Sequence, residues 1–70
     1  MRYDACIISR DPAFAQFLRL TLKRRLSSVI VSSGAVPLPD AARYVVDLDT
    51  CPLSEGLTGE VLCTARHGTR

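Results

Sequence analysis

No apolar run in the 70 residues approaches the roughly 20 that a membrane-spanning helix needs. The opening MRYDACIISRD sets Asp4 and Arg10 around too short an apolar stretch for a secretory leader, so a cytoplasmic chain without membrane contact is expected. Close cysteine pairs are missing too. Cys6, Cys51 and Cys63 are odd in number and widely spaced, which argues against a disulfide framework and for reduced thiols. A large surplus of one charge is also lacking. The net charge is +2, with cations grouped at Lys23, Arg24 and Arg25 and again at Arg66 and Arg70, too little to argue direct nucleic-acid binding. The SSG at 32–34 has neither the glycine spacing nor the lysine of a phosphate-binding loop.

The hydrophobic fraction of 47% lies above a disordered composition, so residues 1–70 are expected to collapse as one small domain. A chain of this size buries only about 60% of its unfolded surface, so the core is marginal without a staple, a metal or a partner. YDACIIS at 3–9 is short, apolar and bounded by charge, as suits a strand covered on both faces of a parallel sheet. Asp11 before Pro12 is a good N-cap followed by the residue best tolerated at the first helical position. Phe14, Leu18 and Leu22 recur every fourth residue, flanked by Ala15 and Leu26, and predict one amphipathic helix over 12–26. Lys23, Arg24 and Arg25 would then occupy its last turn, opposing the negative end of the helix dipole.

SVIVSS at 28–33 predicts a second strand, RYVVDL at 43–48 a third and EVLCTA at 60–65 a fourth. The connections GAVPLPDAA and DTCPLSEGLTG carry turn residues and leave no room for a second long helix. The order strand, helix, strand implies a right-handed crossover and hence an α/β fold with a small parallel four-stranded sheet. A parallel sheet needs apolar cover on both faces, yet only one long helix is available. Leu38, Leu53 and Leu57 in the shortened crossovers cover part of the second face, and the remainder is expected to pack on a second copy as a homodimer. Phe17 and Leu20, on the flank of the helix away from its apolar stripe, offer another contact patch or are ordinary exposed hydrophobes.

CIISRDPAFAQFLRLTLKRRL, followed by YVVDLD and later by VLCTAR, resembles the first half to two-thirds of a response-regulator receiver domain. The resemblance runs from Tyr3 to Arg66 through short motifs whose order carries more weight than any one of them. It implies a truncated receiver fold of flavodoxin-like type, with Asp47 equivalent to the phosphoacceptor and Thr64 to the switch hydroxyl. In open parallel sheets the site lies beyond the carboxyl ends of the strands, so Asp47, Asp49 and Asp11 are expected around a cleft there.

Phosphoryl transfer to an aspartate needs a divalent cation, which the receiver family holds with an acidic pair at the end of the first strand. Ser9 and Arg10 stand at those positions, and the family's lysine after a fifth strand has no counterpart in these residues. The resemblance therefore implies a degenerate site without metal or cofactor. Arg10 is expected to pair with Asp47 or Asp49 where the metal would sit, or Asp47 is held by loop N–H groups.

The implied function is a non-catalytic regulatory and dimerisation domain of a transcriptional regulator in two-component-type signalling, not an enzyme. A DNA-binding output module would lie outside these residues. A phosphorylatable receiver using Asp47, with metal recruited through Asp11 and Asp49, is the alternative. A small thiol or metal-binding protein built on Cys51, Cys63 and His67 is a second one, although no close cysteine pair accompanies them.

Overall fold

The computed structural model describes residues 2–35, 37–52 and 57–65. Four strands and one helix follow in the order β1 (Ala5–Ile8), α1 (Pro12–Leu22), β2 (Val29–Ser32), β3 (Arg43–Asp47) and β4 (Glu60–Thr64). The strands form one sheet in the spatial order β2-β1-β3-β4, and every pairing is parallel. Each strand is a little shorter than its apolar run, because the run extends into the turns at either end.

Asp11 caps α1 as expected. Its backbone is extended, and its Oδ1 accepts from the N–H groups of Ala13 at 3.1 Å and Phe14 at 3.2 Å, with Pro12 opening the helix. A cap of this type is worth about 0.5–2 kcal/mol.

The far end differs from the expected helix over 12–26. The helix stops at Leu22, and Lys23, Arg24 and Arg25 form a turn beyond it, closed by Arg25 N–H and Leu26 N–H donating to Leu22 O at 3.0 and 2.9 Å. The cause lies elsewhere in the chain. Asp4 Oδ2 accepts from Ser27 N–H at 3.0 Å, Ser27 Oγ at 2.9 Å and Ser28 N–H at 3.1 Å, which pulls the backbone into line for β2 before another helical turn can form.

On one face of the sheet Ala5, Ile7, Val29 and Val45 pack against Ala15, Leu18, Leu22 and Leu26. The helix backbone lies closest to β1 and β2. On the opposite face Cys6, Ile8, Tyr44 and Val46 are covered by Ala41, Cys51, Leu38 and Leu57 from the two crossovers. Both inner strands are therefore enclosed on both sides, and truncating Ile7 or Ile8 to alanine costs about 2–5 kcal/mol.

Tyr44 closes the second face with its hydroxyl, which donates to Pro39 O at 2.6 Å and accepts from Ala41 N–H at 3.1 Å. Gly59 brings the chain back to the sheet; a Cβ there would collide with the carbonyl oxygens of Ala41 and Ala42.

As expected, residues of the short crossovers cover part of the second face, with Leu38 and Leu57 lying over β1 and β3. The strand residues left uncovered are at the two edges: Val31 of β2 is 40% exposed, and Val61 and Leu62 of β4 are 42% and 64% exposed. Leu53 lies outside the described residues. No described helix is long and apolar enough to cross a membrane.

Candidate functional site

The carboxyl ends of β1 and β3 lie side by side because Ile8 and Val46 are register partners, which brings the next residues, Ser9 and Asp47, together. Both are buried, Asp47 completely. A buried carboxylate is costly unless donors surround it, and here donors come from the end of β1 and from the loop after β3. Ser9 Oγ donates to Asp47 Oδ2 at 2.8 Å, Thr50 Oγ1 donates to the same oxygen at 3.0 Å, and Asp49 N–H donates to Oδ1 at 3.2 Å.

Each hydroxyl has one proton to give and lone pairs with which to accept. Ser9 Oγ accepts from Asp11 N–H at 3.0 Å, and Thr50 Oγ1 accepts from Arg10 N–H at 2.9 Å. The two N–H groups that follow β1 therefore reach Asp47 through hydroxyl relays, one from its own strand end and one from the loop after β3. Thr50 N–H and Cys51 N–H close that loop by donating to Asp47 O at 3.2 and 2.9 Å. Neither hydroxyl relay was expected from the sequence. The Asp-x-Asp-Thr spacing is that of an aspartate bonding the backbone N–H two residues on, and this turn signal could have pointed to Thr50.

Arg10 departs from expectation. Its exposed guanidinium turns toward the end of β2, where Nε donates to Ser33 O at 3.3 Å, and it forms no ion pair with Asp47 or Asp49 among the described residues. The reason is register: the place beside Asp47 belongs to Ser9. Arg10 instead lies in an open depression with Pro12, Ala15, Val31 and Ser33.

Asp11 is engaged as the helix cap, and half-buried Asp49 contributes its N–H to Asp47. Thr64 is the register partner of Asp47 in β4, but its hydroxyl hydrogen-bonds Val46 O at 3.4 Å rather than the carboxylate. Phe17 and Leu20 are 62% and 58% exposed on α1.

Cys6 and Cys51 are buried and Cys63 is exposed. Burial pushes the Cys6 thiol up to about 11. No cluster of three or more His, Cys, Asp or Glu able to hold a metal occurs among the described residues, and His67 lies outside them.

Chemically, the arrangement holds Asp47 rather than presents it. An attacking carboxylate must reach its electrophile along an open line with a cation nearby, whereas both oxygens here face donors from the protein itself. Comparison with protein-family models, with curated proteins and with solved structures gives no match for this chain.

Proposed function

We propose that the chain is a truncated receiver-like domain that works by association rather than by phosphotransfer, as the regulatory and dimerising part of a transcriptional regulator. Its partners would be a second copy and a DNA-binding output module outside these residues. Cysteines without disulfides suit a cytoplasmic setting.

The observation that carries this reading is the complete burial of Asp47 at the end of β3, with Ser9 and Thr50 hydroxyls on one carboxylate oxygen. The parallel order β2-β1-β3-β4 supports it, since it sets the first and third strands side by side as in flavodoxin-like sheets. Where a receiver would carry acidic residues for a cation, this domain has a hydroxyl and an arginine that turns away. The strand ends would keep one fixed arrangement, and regulation would pass through oligomeric state.

Incubation with acetyl phosphate and Mg²⁺ followed by intact-mass measurement tests the reading. No phosphate adduct is expected on the native chain. An adduct that disappears in Asp47→Asn would overturn it in favour of a phosphorylatable receiver.

A further inference from the structure

We propose that β4 pairs with β4 of a second copy, antiparallel across a two-fold axis at Leu62, and that this edge is the dimer contact. The proposal rests on the dimerising role given above and specifies its surface.

As an outer strand, β4 has its hydrogen-bonding direction set by β3. Glu60 N–H donates to Ala42 O at 3.1 Å, and Thr64 O accepts from Leu48 N–H at 2.8 Å. In a parallel ladder alternate residues of a strand direct both N–H and C=O to one neighbour. Glu60, Leu62 and Thr64 thus face β3, and the N–H and C=O groups of Val61 and Cys63 point outward.

Edge strands are commonly protected by lysine, proline or a bulge. The sequence EVLCT contains no lysine or proline, and both Val61 and Leu62 are exposed. The other edge carries one exposed apolar residue, Val31, against two on β4, since Val29 of β2 is buried under α1 and Ile30 is half-buried against the crossover side.

The edge is self-complementary in one register. Reversed about Leu62, the strand sets Val61 against Cys63 of the second copy and Cys63 against Val61 of the second copy. Both are positions at which opposed residues exchange N–H and C=O bonds. Every outward backbone group of β4 then finds a partner within the strand itself, whereas an axis at Val61 or Cys63 would have to draw on Gly59 or Ala65 beyond it.

The Leu62 side chains meet on the helix side, beside the groove lined by Leu22, Val45 and Leu62. Glu60 falls opposite Thr64 of the second copy, and the two Glu60 side chains lie at opposite ends of the pair, so no like charges face each other. An edge of five residues sits at or below the roughly 1,200 Å² of the smaller specific interfaces. The dimer is therefore a concentration-dependent one.

Sedimentation equilibrium of the full chain from micromolar to millimolar concentration should show a monomer–dimer equilibrium. Val61→Pro removes an N–H that has no bond to β3, so far-UV circular dichroism should be retained while association weakens at least about tenfold. Phe17→Glu and Leu20→Glu should leave association unchanged.

Opposed side chains in an antiparallel pair have Cβ atoms about 4.5–5.5 Å apart, within reach of a disulfide after small adjustment. Leu62→Cys in a Cys63→Ser background should accordingly cross-link to a dimer on mild oxidation, which decides the matter if the proline variant fails to fold.

A dimer lost in Leu20→Glu, with no Leu62→Cys cross-link, would overturn the edge contact and leave the dimerising role standing. A strictly monomeric native chain would overturn both. A monomer in which the Val61 and Cys63 amides resist hydrogen exchange would show the edge filled by the chain's own residues and would likewise refute the proposal.

Discussion

The Ser9 hydroxyl and the Asp47 carboxylate, 38 positions apart in the chain, meet at 2.8 Å in the buried space between the ends of β1 and β3. Ser9→Ala removes one donor from Asp47 and leaves Asp11 N–H without its acceptor. The expected loss is about 1–3 kcal/mol in urea unfolding, and Thr50→Val should cost a similar amount. Both hydroxyls act on the same oxygen, so the double variant should depart from additivity by more than about 0.5 kcal/mol. Strict additivity would show that the two relays do not cooperate.

Tyr44→Phe keeps the ring and deletes the hydroxyl that links Pro39 O to Ala41 N–H. A destabilisation of about 1–3 kcal/mol with an unchanged urea dependence is expected, since buried polar groups lose their partner but the surface exposed on unfolding stays the same. A change under about 0.3 kcal/mol would mean that water replaces the hydroxyl at no cost.

Asp4 supplies the acid response of the β1–β2 junction. Hydrogen bonds from Ser28 N–H and from the Ser27 hydroxyl and N–H hold its carboxyl below the ordinary value of 3.8. A carboxylate with a depressed folded pKa stabilises the native state above its unfolded pKa, and this contribution is lost as pH falls through the folded value. Thermal unfolding from about pH 6 down to about pH 2 should therefore show a decline below about pH 4 that is shallower in Asp4→Asn. Parallel declines in the two proteins would assign the acid response to other carboxylates.

Thiol reactivity should separate the three cysteines. Burial raises the Cys6 thiol to about 11, and Cys51 is also buried, whereas Cys63 is exposed on β4. At about pH 8 and low protein concentration, iodoacetamide should modify Cys63 first, with mass mapping as the readout, and the other two only after denaturation. Rapid labelling of Cys6 in the native chain would indicate local opening of β1.

Much of the architecture was legible because its causes are local. Asp11 before Pro12 can cap a helix wherever it stands, and its Oδ1 does so here. The alternation of apolar runs with turn residues located all four strands, and parallel pairing followed from the single crossover helix. The end of α1 was not legible. Leu26 continues the four-residue spacing and does reach the core, but it does so from a turn. Helix and turn place that side chain on the same face, and the choice between them belongs to Asp4, more than 20 residues earlier.

The candidate site divides in the same way. Position in the sequence placed Asp47 at the end of a strand and Asp11 at a helix start, both matters of neighbouring residues. Which group would stand beside Asp47 depended on register between strands separated by the whole of α1 and β2. That register set Ser9 there and turned Arg10 toward Ser33, because a fixed pairing of Ile8 with Val46 leaves the adjoining position to the next residue. Likewise, the sequence pattern showed one long helix for the two faces of a parallel sheet. Only the folded crossovers, with Leu38 and Leu57 over β1 and β3, decided that the apolar residues left uncovered in the sheet are at its edges, most of all Leu62 of β4, since loop packing is a sum of contacts made at long range.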